Sequence, residues 1–567
     1  MVCVTQWIQK GFANLLKIGI RSGDNMKKFK PVFSLLIVLS ILLLTACASS
    51  SDSSDSSSGS SSSKNNTMYI GLVNAPVSFN TINSSDIAAQ YLEKFMFDTF
   101  LEMDEPLHFV PKMAESFETT DNQTYTIKLH QDANWSDGTP VTANDIAFTF
   151  NLIANPKTET AVGRFLTVLE GVDESGKLMD GQTELPSIKV VDDKTFTFTT
   201  KQPVDSNMVK EFIGTKLMIL PQHVLKDVAP EDLSKDPFMQ NPTVTSGPFK
   251  FVKYEKDQYV EFEKNEDYYL GDPKLEKLFV KIMPAANLVA QLQTGEIHMN
   301  AAAGIGKIAV QDYETVKGFK NVTTKTEETY GYQTMLFNTE TITDAKVRQA
   351  IAYAIDRNKI VDDLLKGEAE IVDGPYTSIS PFLDATLPSY SYDPEKAKQL
   401  LEEANWDFDK AIKFVVPIGN KVREQSANII AENLKAIGMK VETTTYDFPT
   451  IMAKGKDGDF DLLLIGYTNN IDPDVSSIYQ STSANNFSNY NSPKTDELLE
   501  AGKNEADLEK RKEIYSQLQQ VWLDDMPAFT LYSDYDFSAV SNDVKFGEPK
   551  VFGYHNELHN WSLGGAN

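Results

Sequence analysis

Apolar and polar residues alternate with a period of two over residues 68–73, 125–129, 195–199 and 259–263, and all four stretches are rich in β-branched and aromatic side chains. A period of two puts every second side chain on one face, so each stretch predicts a half-buried strand. Turn-forming clusters such as Trp135-Ser136-Asp137-Gly138-Thr139-Pro140 lie between them. The first half of the chain therefore reads as strand-rich, with helices interspersed.

The second half changes period. Val347, Ile351 and Ile355, with Ala350 and Ala354 beside them, form an apolar stripe at helical spacing that stops near Gly367. Asp393-Pro394 followed by Ala397, Leu400, Leu401 and Ala404 supplies an N-cap, a proline in the first turn and one buried face. Residues 413–416, then 423–437 with Ile430, Leu434 and Ile437 on one face, then Gly438 and residues 440–446, read as strand, helix, glycine stop and strand. That βαβ unit predicts parallel strands joined by a right-handed crossover. Residues 461–465 add a continuously apolar strand of the kind that a sheet covered on both faces requires. The predicted fold class is α/β, and in open α/β sheets ligands bind beyond the carboxyl ends of the strands. The loop after residue 465, Gly466-Tyr467-Thr468-Asn469-Asn470-Ile471-Asp472-Pro473, is on this ground the first candidate for a ligand site.

The amino end follows different rules. Lys27, Lys28 and Lys30 precede an apolar run over residues 32–44, which closes on Leu44-Thr45-Ala46-Cys47. The run falls short of the roughly 20 apolar residues that span a bilayer. A positive region, a short apolar core and small residues at its end predict a secretory signal peptide over residues 26–46. A small residue before a cysteine resembles the bacterial lipobox, which makes Cys47 the lipidated first residue of the mature chain. Residues 49–66 are mostly serine with a few aspartates, so residues 47–67 read as a lipidated cysteine and a flexible tether. Residues 1–25 form an extension ahead of this signal, and Met26-Lys27-Lys28 would itself be an ordinary start.

Charge and cysteine use narrow the function. The two cysteines are Cys3 and Cys47, so no disulfide can form within the mature chain and its stability must come from a core. Residues 1–46 contain six Lys/Arg and one Asp, and their removal takes the net charge from −27 to −32. Nucleic acid, whose phosphates demand a basic face, is thereby excluded as a partner. The enzyme signatures sought are also absent: there is no GxSxG elbow, no phosphate loop ending in GK[ST] and no CxxC. His555 and His559 flank Glu557 in the order His-Asn-Glu-Leu-His, which puts the acid in the wrong place for a zinc protease, and they read as surface histidines. Gly304-Ile305-Gly306 lacks the third glycine of a nucleotide cradle, and Asp362-Asp363 and Glu402-Glu403 read as solvated helix faces. No catalytic set, cofactor or metal site emerges, and a surface hydrolase is the remote alternative.

Several motifs resemble one family. Trp135-Ser136-Asp137-Gly138-Thr139-Pro140-Val141-Thr142-Ala143-Asn144-Asp145-Ile146, Ser246-Gly247-Pro248-Phe249 and Gly295-Glu296-Ile297 occur in order. They are followed by residues 347–357, from Val347-Arg348-Gln349 to Ile355-Asp356-Arg357, and by Tyr392-Asp393-Pro394-Glu395-Lys396-Ala397. Over roughly residues 68–532 the chain resembles the solute-binding proteins of oligopeptide, dipeptide and nickel ABC importers. Most of these motifs also have a purely structural reading, as a turn around a buried aromatic or a helix packing a lobe. The resemblance implies a two-lobed periplasmic-binding-protein-like fold of type II, with an extra domain and a hinge between the lobes. Lobe one would comprise residues 68–110, 216–327 and 527–567, the extra domain 111–215, and lobe two 328–526.

The resemblance further implies a monomeric, lipid-anchored oligopeptide receptor on the extracellular face of a Gram-positive cell membrane, serving an ABC permease. Strand-like hydrogen bonds to the peptide backbone would give affinity independent of sequence. Dipeptide, signalling-peptide, sugar and nickel receptors of the same fold are the alternatives. Many members place an aspartate before Asp-Pro in a Gly-Trp loop, where it meets the ligand's amino group. Here the loop is one residue shorter, and the matching position is Asn469 or Asn470 depending on which end is aligned. An amide there implies a looser grip on the amino terminus. Asp472 either compensates or caps its Asp-Pro turn, Tyr467 lies against ligand or in the core, and Phe79 and Asn80 are further candidates.

Overall fold

The computed structural model describes residues 66–84 and 86–564. The expected signal peptide, Cys47 and the tether up to residue 65 lie outside the described residues. Alternation builds the first lobe. In Thr67–Leu72 the residues Met68, Ile70 and Leu72 are fully buried, and this strand pairs in parallel with both Lys277–Ile282 and Met299–Asn300. Around it runs a seven-stranded sheet in the order Val322–Glu327, Asp536–Ser541, Met299–Asn300, Thr67–Leu72, Lys277–Ile282, Tyr259–Lys264, Phe249–Glu255.

A four-stranded antiparallel sheet, in the order Ala114–Thr119, Thr124–Leu129, Thr195–Thr199, Ile188–Asp192, lies between the first strands of this lobe and its later ones along the chain. Tyr125, Ile127 and Leu129 point to one face with Phe196 and Phe198, and Tyr125 stacks on Phe198 at 5.0 Å. The Trp135 motif is a turn around a buried indole. Gly138, at φ +85°, allows its N–H to reach the Trp135 carbonyl at 2.9 Å. The same turn is tied to lobe one where the Ser136 N–H meets the Thr245 carbonyl at 2.7 Å. Gly247 is glycine for close approach, since a Cβ there would lie 2.7 Å from the Met96 carbonyl carbon.

The second lobe carries a six-stranded sheet in the order Ala369–Glu370, Ala528–Asp534, Gly331–Phe337, Leu462–Thr468, Ala411–Pro417, Lys440–Tyr446. The predicted βαβ unit is present: Ala411–Pro417 and Lys440–Tyr446 pair in parallel across the helix Lys421–Ala436. Asp393 caps the helix Pro394–Glu403 through the Lys396 N–H at 2.9 Å. Two arginines of the 347–357 motif staple carbonyls. Arg348 donates to Ile342, Thr343, Asp525 and Met526, and Arg357 donates to Val372 and Thr530 while pairing with Asp373 at 2.8 Å.

Two expectations require correction. The apolar stripe does not continue as one helix past residue 354: Ala345–Ala354 ends, Ile355 is extended, and Asp356 caps a new turn through Lys359 N–H at 3.0 Å. Nor does the chain return to lobe one at residue 527. Ala528–Asp534 is hydrogen-bonded between Gly331–Phe337 and Ala369–Glu370 of lobe two, so the return comes at Tyr535. The chain thus passes between the two sheets at residues 328–330 and again at Tyr535. The two passages lie side by side: Glu327 pairs with Asp536, and the Thr329 hydroxyl donates to the Asp534 carbonyl at 3.1 Å. Two adjacent passages of a few residues each, outside both sheets, are what a hinge needs to absorb changes in backbone angles.

Candidate functional site

The strand Leu462–Thr468 is buried on both faces through Ile465 and emerges at the carboxyl edge of the parallel strands. Gly466 leaves no space for a Cβ, which would lie 2.5 Å from Gln333 Nε2 and 2.9 Å from an Arg423 guanidinium nitrogen. Tyr467 is in register with Tyr332, with ring centroids 6.0 Å apart, and burial pushes its hydroxyl pKa up. The Asn469 side-chain amide donates to the Pro375 carbonyl at 2.7 Å, and its backbone N–H reaches the Tyr330 carbonyl at 3.4 Å. Asn470 is exposed.

Asp472 does not compensate for the missing loop carboxylate. It is 4 % exposed, one of its oxygens lies 2.6 Å from Arg511, and the other accepts the Asp474 N–H at 3.0 Å. Burial alone would lower the Arg511 pKa, but the carboxylates of Asp472 and Asp205 together with Tyr515 raise it. In this structure the carboxylate is thus engaged by a buried cation and a backbone N–H of its own lobe.

Phe79 and Asn80 are both buried in lobe one. Phe79 is 1 % exposed and packs on Phe251 and Tyr254 with centroids at 5.2 and 5.7 Å. The Asn80 side chain accepts the Ile82 N–H at 3.3 Å and closes a local turn. His555, read from sequence as a surface residue, is buried at 1 % among the rings of Tyr91, Phe95 and Tyr554. Burial holds it well below its usual pKa, so it is neutral at pH 7.

Residues without a motif complete the site. Ile418 and Phe448 follow the parallel strands Ala411–Pro417 and Lys440–Tyr446, and are 52 % and 51 % exposed. They and Gly466–Pro473 follow the carboxyl ends of parallel strands, at one edge of the sheet. Opposite this edge, Glu211 from the turn Lys210–Gly214 accepts the N–H groups of Ile471 and Asp472 at 3.0 and 2.7 Å. Asp205, at 3.3 Å from Arg511, makes a second contact between the 111–215 segment and lobe two, and Gln202 donates to Asn504 in a third. Among the described residues there is no group of three or more His, Cys, Asp or Glu side chains placed to hold a metal ion. No helix among them is long and apolar enough to cross a membrane.

Two lobes, a two-stranded passage and a loop at the sheet's carboxyl edge agree with the sequence profile that the chain matches over residues 108–489, described as bacterial extracellular solute-binding proteins, family 5 Middle. The chain belongs to this family. It is 30 % identical over 501 residues to the oligopeptide-binding protein AppA of Bacillus subtilis, covering 84 % of this chain and 88 % of that one. The structure of AppA in complex with a nonapeptide is similar with a TM-score of 0.71 at 28 % identity, over 88 % of this chain and 98 % of that one. The substrate-binding protein CtaP of Listeria monocytogenes is similar with a TM-score of 0.77 at 26 % identity, over 88 % and 99 %. The two-lobed α/β fold inferred from the motifs is therefore the fold of this family-5 protein, and its family is one of solute binders rather than enzymes.

Sequence reasoning placed the loop of this solute-binding protein at the carboxyl edge of the sheet, but it did not single out Ile418, Phe448, Glu211 or Arg511 beside it. The first two could have been found by applying the carboxyl-edge rule to every parallel strand rather than only to the last. Glu211 carries no such signal, because its partners are backbone groups 260 residues away.

Proposed function

We propose that this protein is an oligopeptide receptor that closes on its ligand and delivers it to an ABC importer, without catalysing a reaction on it. The observation that carries the reading is the loop Gly466–Pro473, whose one carboxylate is already paired and whose exposed polar side chains, Thr468 and Asn470, are uncharged. Such a loop can accept a hydrogen bond from an ammonium without fixing it by a full charge, and charge-assisted bonds are roughly twice as strong as neutral ones. The grip is then carried by the peptide backbone, with Ile418, Phe448 and Tyr467 offering apolar surface to side chains. The 30 % identity to an oligopeptide-binding protein supports the same reading.

The anchor belongs to the proposal. Cys47, lipidated after removal of residues 26–46, would hold the receptor on the extracellular face of a Gram-positive membrane through the Ser-rich tether. Two acyl chains suffice for stable anchoring where one is marginal. Replacement of Cys47 by Ser is expected to release the protein into the medium, and a variant that stays with the membrane would refute the anchor.

The test of the ligand class is native mass spectrometry of the purified protein, followed by denaturation to release what it carried. A mixture of intact peptides is the expected result. Shortened peptides after incubation would point to a hydrolase. A protein that carries no peptide and gains no thermal stability from a peptide library would overturn the reading and bring sugars or nickel forward.

A further inference from the structure

Among the described residues, Glu211 is the one side chain that reaches from the lobe-one side to the backbone of the ligand loop itself. It lies in the turn Lys210–Gly214, which follows the short helix Ser206–Val209 capped by Asp205. Val209 and Ile213 bury this segment in the core shared by the first lobe and the four-stranded sheet, so its position is set before any ligand arrives. The Glu211 carboxylate is 1 % exposed, and its two oxygens take one N–H each, from Ile471 at 3.0 Å and Asp472 at 2.7 Å. Those two amides sit immediately after Asn469 and Asn470.

We propose that Glu211 is a positioning residue for ligand recognition: its carboxylate fixes the backbone of the Gly466–Pro473 loop, and thereby the reach of Asn470, when the lobes are together. The inference rests on the peptide-receptor reading. Parting of the lobes returns both the carboxylate and the two amides to water, so the loop has its binding shape only in the closed form. A ligand that needs this shape therefore favours closure, which is the differential affinity that a population shift requires.

The charge surroundings add a second consequence. Burial pushes the Glu211 carboxyl up to about 7; Lys216 opposes the shift, Asp472 adds to it, and the two backbone N–H bonds hold it down. Tyr330 also faces it, and Arg511 and Asp205 stand behind Asp472. In the open, hydrated form Glu211 titrates as an ordinary carboxylate near 4.3. The closed form thus binds more protons between about pH 4.3 and 7. Closure is most favoured at the lower end and weakens as pH rises towards 7, by at most about tenfold per pH unit.

The test uses the protein purified from its own membrane and a free-amino heptapeptide, with affinity measured from pH 4.5 to 8 and closure of the ligand-free form followed by small-angle scattering. Glu211→Gln cannot ionise and can accept only one of the two N–H groups. Loss of the pH slope is expected, with affinity at pH 7.5 set near the value the wild type reaches at pH 5, where its own carboxyl is protonated and likewise accepts one N–H. Glu211→Asp, which keeps the charge but shortens the reach so that the two N–H groups lose their acceptor, should lose about tenfold in affinity at pH 7.5. Wild-type affinity and slope in Glu211→Gln would overturn the proposal. If both variants fail to fold, a flat wild-type profile between pH 5 and 7 overturns it and a rise towards pH 5 supports it. If the wild type binds no peptide, the peptide reading fails, while the pH dependence of ligand-free closure, compared with Glu211→Gln, still decides the role of Glu211.

Discussion

Two clusters of buried charge stand in contrast. In lobe one, Lys112 lies 3.2 Å from Asp98 and 3.0 Å from Glu102, Lys94 lies 3.2 Å from Glu102, and the hydroxyls of Tyr268 and Tyr269 donate to Asp98. Two cations face two anions inside one body. At the boundary of lobe two, Arg511 meets Asp472 of its own lobe at 2.6 Å and Asp205 from the facing body at 3.3 Å, with Glu211 of that body close behind. There acids outnumber the cation, and two of them, Asp205 and Glu211, belong to a body joined to lobe two by the chain passages at residues 328–330 and Tyr535. A buried charge left unpaired is costly because it cannot reach water. In the first cluster no motion short of unfolding brings water in. In the second, opening of the hinge does, so the same chemistry that staples one lobe allows the other contact to be broken and remade.

The largest expected effect breaks the staple. Lys112→Met leaves Asp98 and Glu102 with too little positive charge and should cost about 3–5 kcal/mol of stability in chemical denaturation, as removal of one partner of a buried pair does. The protein that stays folded should bind peptide as before. A loss below about 1 kcal/mol would show that water already reaches this cluster.

Arg511→Met is the matching change at the interface. Asp472 and Asp205 lose their cation, but opening lets both hydrate, so the loss of global stability should stay under about 2 kcal/mol. Peptide affinity should instead fall by an order of magnitude or more, because the closed form bears the cost. If stability falls as far as in Lys112→Met while affinity holds, the distinction between a permanent and a breakable cluster is wrong.

His555 gives the contrast a pH axis. It lies against the lobe-one cluster, and burial, with Lys94 and Lys112 nearby, keeps its pKa well below the usual value. A group whose folded pKa is depressed contributes stability above its unfolded pKa, about 6.5, which is lost as pH falls below it, by up to about 1.4 kcal/mol per pH unit. Thermal melts should therefore decline below about pH 6.5 in the wild type and flatten there in His555→Phe. Glu211 has the opposite sign, since acid favours closure, so stability and affinity should diverge between about pH 6.5 and 5.

The contrast also explains what was legible in the sequence. Periodicity located the strand Thr67–Leu72 and the βαβ unit over residues 411–446, because each is specified by neighbours a few positions apart. The carboxyl-edge rule located the loop. It could not tell that Asp472 would be claimed by Arg511, 39 residues on, or that Asp205 would come from 306 residues away. Ala528–Asp534 was misplaced for the same reason, since a strand's sheet is decided by partners at residues 331–337 and 369–370 rather than by its own pattern. His555 carries a polar label, and only the ring cluster that encloses it makes it a core residue.

The smallest effect tests the loop itself. Asn470 is exposed at the interface edge, whereas the Asn469 amide is engaged with Pro375 and would lose that bond if made acidic. Asn470→Asp therefore adds a carboxylate at the less costly of the two aligned positions. If this edge receives the ligand's amino end, a charge-assisted bond replaces a neutral one, and affinity for a free-amino peptide should rise about three- to tenfold over its acetylated form. The gain should be larger in a background that keeps Glu211, because only a loop held by that carboxylate presents residue 470 in a fixed place. An equal gain for free and acetylated peptides would mean that the amino end lies elsewhere in the cleft, and that the Asn470 amide is incidental to the grip.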